Sequence, residues 1–426
     1  MNYLLLDDAA RRAELNALRA KHEEIKAQGI SLDLSRGKPG ADQLEITMGM
    51  LGAITHGNDC FSENGLDCRN YGNLDGLPEV KRLFSELLGI APSRLFIGGN
   101  SSLNMMYDTV ARAMVYGMGE GNTPWCRQEK IKFIALTPGY DRHFAICESF
   151  GIEMISVELG ENGPDMDVIE NLVQNDPTIK GIWCVPKYSN PSGIVYSDEV
   201  VRRFARLKPA APDFRIFWDN AYAVHDLYET PENLANIFDL ADECGNADII
   251  LYFTSTSKIS FPGSGVALLA ASEKNMEQIK KIMSVQTIGY DKLNQMRHIK
   301  YFGNPRGIHR HMRRHAQIIR PKFETVLNAL ERDLGDTGVA RWTSPRGGYF
   351  ISLDVTTGSA KRVWDLAKEV GVTLTNAGAS FPYGKDPHDR NLRIAPTFPS
   401  LEDVTAAAEV LTLCVRIAAL EGLLGE

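Results

Sequence analysis

The sequence predicts an α/β protein in which a large domain on a mainly parallel sheet is joined to a smaller, discontinuous α+β domain. Three observations predict it. The chain has 426 residues, more than one small core accommodates. From about residue 94, short apolar β-rich runs alternate with helical patterns, which is how a parallel sheet covered on both faces reads. After residue 305 a long basic helix leads into strands and helices in mixed order, an α+β pattern. The predicted division is 48–305 for the large domain, with 1–47 and 306–426 forming the small one.

The first segment, "MNYLLLDDAARRAELNALRAKHEEIKAQG", reads as an amphipathic helix. Acidic residues follow its apolar patch at once and no cleavage-site pattern appears. It is expected to pack with the C-terminal part of the chain. "RLFIGG" then precedes helical "SLNMMYDTVARAMVYG", "KFIAL" precedes "DRHFAICESFG", and "EMISVEL" precedes "MDVIENLVQN". "GIWCVP" precedes "SDEVVRRFARL", followed by the strands "FRIFWD", "DIILYFT" and "VALLAAS" and the helix "EKNMEQIKKIM". In such sheets ligands bind beyond the carboxyl ends of the strands. There the chain places "GGNSS", "PGY", "PKYSNPSG", "DNAY" and "STSK". Beyond residue 305 come the helix "HRHMRRHAQIIRPKFETVLNALERDLG", the strands of "VARWTSP" and "GYFISLDV", then helix, strand, strand and a closing helix.

The composition excludes several function classes. With 44% apolar and 23% charged residues the chain is that of an ordinary globular protein, and a net charge of -8 gives no general attraction to nucleic acid or anionic membrane. No stretch approaches the roughly 20 apolar residues that span a bilayer. Seven scattered cysteines without CxxC pairs suit free thiols in a reducing cytoplasm. The expected partners are small molecules and further copies of the chain.

Lys258 stands just beyond an apolar strand, over the ligand-binding edge. A lysine is ordinarily a solvated surface charge. At a strand end, desolvation favours the neutral amine, a nucleophile toward carbonyls, and the bond it implies is a Schiff base. If the carbonyl belongs to pyridoxal phosphate, the cofactor needs an acid at its ring nitrogen, donors to its ring oxygen, a stacking group and a phosphate cradle. Asp219 at the end of "FRIFWD" serves as that acid or as a helix N-cap. Tyr222 and Asn190 reach the ring oxygen, or Asn190 merely shapes a turn. "GGNSSLN" offers Gly99, Asn100 and Ser101 to phosphate at a helix start, although strand-to-helix turns are often small and polar. Tyr140 either stacks on the ring or closes a core edge. Arg393, set between Leu392 and Ile394, either takes a carboxylate in its two-pronged grip or forms a structural salt bridge. His311 and His315, four residues apart on a helix, have metal-pair spacing, but Arg310, Arg313 and Arg314 surround them and no third ligand is evident.

Tyr71, "GGNSS", Tyr140, "SNPSG", "DNAY", "STSK" and "LRIAP", in this order, resemble the fold-type I aminotransferases that use pyridoxal 5'-phosphate. The resemblance spans roughly residues 30 to 420. It implies a seven-stranded mixed sheet in the large domain, a split small domain and a homodimer. It makes Lys258 the Schiff-base lysine, Asp219 the ring-nitrogen partner, Asn190 and Tyr222 the ring-oxygen donors and Tyr140 the stacking residue. Gly99, Asn100, Ser101 and Ser255 fall where the family binds phosphate, and Tyr71 falls where a tyrosine reaches the neighbouring subunit's phosphate. Arg393 falls at the α-carboxylate arginine, and Gly37 in "LSRGKPG" at the glycine lining the substrate.

One departure is plain. Where most members carry a phosphate-binding arginine after the lysine, this chain reads "SFPGSGVALL", with Gly265 and Val266. The pattern is similar to a divergent bacterial branch of aspartate aminotransferases related to MocR-like proteins, which implies transamination between aspartate and 2-oxoglutarate. Neutral amino donors, a lyase on the same scaffold and a non-catalytic effector module are the alternatives. A dicarboxylate substrate needs a second cation, for which Arg36, Lys38 and Arg142 are the candidates near the motifs.

Overall fold

The structure, a computed structural model, describes residues 1–119 and 121–426. Thirteen strands occur among them: β1 (Leu32–Asp33), β2 (Leu95–Ile97), β3 (Lys132–Thr137), β4 (Glu153–Gly160), β5 (Gly163–Pro164), β6 (Ile179–Cys184), β7 (Arg215–Asp219), β8 (Ile250–Ser255), β9 (Ala267–Ala271), β10 (Ala340–Trp342), β11 (Ile351–Val355), β12 (Val372–Thr373) and β13 (Asn391–Ile394).

The main sheet has eight strands in the order β2-β9-β8-β7-β6-β3-β4-β5. Its centre is parallel, from β4 through β3, β6 and β7 to β8, and β9, β2 and β5 run antiparallel to their neighbours. The expected count of seven is thus corrected to eight. The additional strand is only two residues long: the chain folds back after β4, pairing Leu159 with Pro164 and Gly160 with Gly163.

Burial explains why these runs are strands. Every residue of β6, β7 and β9 is buried, so both faces must be apolar or internally paired. Above one face, Trp125, Phe133, Trp183 and Phe217 form an aromatic cluster with centroid spacings of 4.6 to 5.7 Å. Each such ring contributes about 1.5–3 kcal/mol by leaving water. At the edge of the cluster, the buried Lys180 ammonium meets Asp213 at 2.7 Å, and Asp213 also accepts from Trp125 Nε1 and Gln128 Nε2 at 3.0 and 2.9 Å.

A second layer gathers the chain ends. The antiparallel sheet β10-β11-β13 shares a core with the helix Leu401–Leu424, whose apolar residues are buried almost all round. The helix Asp8–Ala27 packs along that helix, and β1 pairs in parallel with β12, joining Leu32 to Val372. The helix Pro305–Leu334 runs between the layers. Its Ile308 and Met312 pack with Ile259 beside the main sheet, whereas Phe323, Val326 and Leu330 belong to the core of the second layer.

Candidate active site

A cleft of about 180 Å³ opens at the carboxyl ends of the central strands, lined among others by Gly37, Ser101, Tyr140, Asn190, Asp219, Tyr222, Ser255 and Lys258. The sheet explains the convergence. Asp219 is the last residue of β7, Ser255 the last of β8, and Lys258 lies three residues further on. Asn190 follows β6, and Tyr140 precedes the helix Asp141–Ser149 after β3.

The lysine turn is held firmly. Ile259 and Ser260 both donate backbone N–H groups to Thr256 O, at 2.9 and 2.7 Å, and Thr256 Oγ1 lies 2.8 Å from His298 Nε2. The Lys258 carbonyl accepts from Tyr349 at 3.3 Å, and Ile259 O lies 2.8 Å from His311 Nε2. The Lys258 ammonium stands 4.6 Å above the centre of the Tyr222 ring. Burial pushes the Tyr222 hydroxyl well above its ordinary range and that of Tyr140 up to about 12, so both remain protonated donors at neutral pH.

Asp219 is buried and only half satisfied. Oδ2 meets His143 Nε2 at 3.0 Å, while Oδ1 has no hydrogen-bond partner among the described residues. No helix starts at this residue, so the N-cap alternative for Asp219 falls away. His143 stacks on Trp183, with ring centres 4.5 Å apart, and is thereby fixed in place behind the carboxylate.

The phosphate-type turn lies between β2 and the helix Ser102–Tyr116. Ser101 occupies the N-cap position yet makes no side-chain cap, leaving its hydroxyl and the first N–H groups of the helix open to the cleft. Ser255 Oγ donates to Ser257 Oγ at 3.0 Å, and Ser257 Oγ donates to Asn100 O at 2.6 Å, tying this turn to the lysine turn. Gly265 lets these turns approach closely, because a Cβ on it would stand 2.9 Å from Ser257 Oγ and 3.0 Å from both Asn100 O and Ser257 Cα. Where the sequence lacks the expected arginine, Arg297 lies against the neighbouring Ser264, with Nη2 3.5 Å from Oγ.

Arg393 on β13 reaches the same region from the second layer. Its Nη1 donates to Asp141 Oδ1 at 2.7 Å and to Asn190 Oδ1 at 3.3 Å, and the cation lies 5.1 Å from the Phe350 ring centre. Gly37 admits Phe350, whose Cζ would lie 2.1 Å from any Cβ at that position. Of the three candidate second cations, only Lys38 lines the cleft, 4.0 Å from the Phe398 ring centre. Arg36 is largely exposed beside Asp33, and Arg142 points to solvent.

Tyr71 is apart from this group. It is 80% exposed on the single chain. His311 and His315 are brought together, Nε2 to Nε2 at 3.0 Å, and His315 Nδ1 accepts from Gln43 Nε2 at 3.0 Å. Their place is behind the lysine turn rather than in the cleft. Among the described residues no cluster of three metal-ligating side chains occurs.

The defining pattern of the family described as "Aspartate amino-transferase" matches residues 6–426. The chain belongs to that family. This aminotransferase is 43% identical to the aspartate aminotransferase of Corynebacterium glutamicum over 404 residues, 95% of this chain and 93% of that one. It superposes on the crystal structure of an aspartate transaminase from Corynebacterium glutamicum with a TM-score of 0.96, at 41% identity and with 99% of each chain covered. The α-aminoadipate aminotransferase of Thermus thermophilus, in complex with N-(5'-phosphopyridoxyl)-L-leucine, shares the fold: its TM-score is 0.74 at 21% identity, covering 94% of this chain and 95% of that one. The expected fold type and the expected activity class both stand on these findings.

The aminotransferase site contains groups that sequence reasoning did not assign. His143 was visible only as part of "PGYDRH", and nothing local ties it to Asp219, 76 residues away. Val185 and Met106, which line the cleft, read as ordinary core positions.

Proposed function

We propose that the chain transfers the amino group of aspartate to 2-oxoglutarate, using pyridoxal 5'-phosphate bound in the cleft through Lys258. The observation that carries this reading is the buried Oδ1 of Asp219, without a hydrogen-bond partner among the described residues, on a residue that lines the same cleft as Lys258. A buried carboxylate oxygen without a partner costs about 1–3 kcal/mol, and a protonated ring nitrogen removes that cost. When bound, the cofactor supplies an electron sink that acidifies the hydrogen on the substrate's α-carbon.

The chain's own residues do the rest. Asp219, oriented by His143, holds the proton on the ring nitrogen. Tyr222 and the Asn190 amide donate to the ring oxygen, and the Tyr140 ring covers one face. Gly99, Asn100, Ser101 and Ser255 receive the phosphate with backbone and hydroxyl donors, and Arg297 supplies positive charge near Ser264. Arg393 takes the α-carboxylate beside Gly37, and Lys38 meets the distal carboxylate. Lys258 Nζ would act as the base that accepts the proton from the substrate's α-carbon. In a homodimer, Tyr71 of each chain completes the phosphate site of the other. Its high exposure on the single chain supports that reading. The division at 48–305, with 1–47 joined to 306–426, belongs to it too and is supported by the packing of the helix Asp8–Ala27 on the helix Leu401–Leu424. Seven free cysteines suit a cytoplasmic enzyme.

The test is Lys258→Ala. Turnover of aspartate with 2-oxoglutarate should vanish, and the intact mass after borohydride reduction should lack the cofactor adduct carried by the unaltered chain. Retained turnover overturns the lysine assignment. A panel of donors tests the substrate: activity with alanine and none with aspartate overturns the aspartate reading.

A further inference from the structure

The guanidinium assigned above to the substrate is already occupied. Arg393 Nη1 donates to Asp141 Oδ1 at 2.7 Å and to Asn190 Oδ1 at 3.3 Å, which engages both of its hydrogens. Nε reaches Thr375 Oγ1 at 3.4 Å. A carboxylate gripped end-on needs Nη1 and Nη2 together. To be held that way it must replace Asp141. Any other approach brings a second carboxylate to a cation whose charge Asp141 already balances.

The two partners differ in what they can do when separated. The Arg393 side chain is 9% exposed, so without an anion it becomes a buried unpaired charge. The Asp141 side chain is 35% exposed and stands in the first turn of the helix Asp141–Ser149. Water and the positive end of the helix receive its charge when it leaves Arg393. The pair also bridges the two layers, because Arg393 is on β13 and Asp141 follows β3.

We propose that Asp141 is a positioning residue: a resident carboxylate that occupies Arg393 until the substrate's α-carboxylate exchanges with it. This rests on the reading of Arg393 given under the proposed function. One ion pair replaces another, with no covalent change, as Asp141 turns to solvent. The exchange sets one cost that every carboxylate taking Arg393 must meet, so an anion that touches Arg393 alone gains little by evicting Asp141, whereas a dicarboxylate also reaches Lys38.

The test uses the cofactor-loaded enzyme and succinate, a dicarboxylate without an amine, titrated calorimetrically into the unaltered chain and into Asp141→Asn, Asp141→Ala and Arg393→Ala. Both Asp141 variants should bind succinate about tenfold more tightly, the lower end of what a hydrogen bond to a charged group contributes. The KM for aspartate should fall with it and kcat should not rise. Unchanged or weaker succinate binding in both Asp141 variants, with binding lost in Arg393→Ala, overturns the proposal and leaves Arg393 as the carboxylate site. Unchanged succinate binding in Arg393→Ala overturns the Arg393 assignment and the proposal together.

Discussion

Replacing His315 by Gln should make the protein less sensitive to acid. His315 is buried behind the lysine turn, and desolvation, followed by the neighbouring His311, pushes its pKa from 6.5 down to about 3. The folded value is the lower one, so between pH 6.5 and about 3 the unfolded chain binds the proton that the folded chain refuses. Stability contributed by the neutral ring is therefore present above pH 6.5 and is lost as pH falls through that window. At about pH 5 the unfolded histidine is almost wholly protonated and the folded one is not, which works out at about 2 kcal/mol lost relative to about pH 7.5. Glutamine offers a donor and an acceptor toward Gln43 and His311 but does not titrate. Urea titrations of the cofactor-free protein, followed by tryptophan fluorescence at the two pH values, should show the unaltered chain losing about 2 kcal/mol more than His315→Gln. Equal losses in the two proteins would refute the argument that a neutral buried His315 is part of the folded state.

Other outcomes follow from single contacts. Lys180→Met leaves Asp213 buried without its cation, so unfolding free energy should fall by about 3–5 kcal/mol, measured by denaturant titration. Gly37→Ala drives a methyl group into Phe350, which lies beneath Arg393. Overpacking of this kind costs about 1–3 kcal/mol, and it should appear as a raised KM for aspartate, with the circular dichroism spectrum unchanged.

The strands were legible where both faces are covered. "GIWCVP", "FRIFWD" and "VALLAAS" are apolar runs because β6, β7 and β9 are buried throughout, and no competing helical period disturbs them. β5 was not legible, since a Gly-Pro pair carries no strand signal of its own and becomes a strand only by pairing with β4. The site residues that stand at strand ends, Asp219, Ser255 and Lys258, announced themselves by position as well as type. Their supports did not. His143 and Asp219 are 76 residues apart, and Asp141 and Arg393 are 252 apart. Such pairs have no period or spacing to betray them. His311 and His315 show the converse: their metal-pair spacing was visible and was set aside for want of a third ligand, and the structure turns them toward each other and toward the backbone beside Lys258.

The helix Pro305–Leu334 has 30 residues and, at 1.5 Å rise per residue, a length of about 45 Å. One end is anchored in the packing around Ile259 and the other in the core that holds β11 and β13. It acts as a tie rod between the two sheets. A displacement of the layer carrying Arg393 would be carried along the rod to the His311 contact on the Ile259 carbonyl, one residue from Lys258. The setting of Arg393 at one end of the cleft and the footing of the lysine at the other are therefore mechanically joined through the packing of this helix.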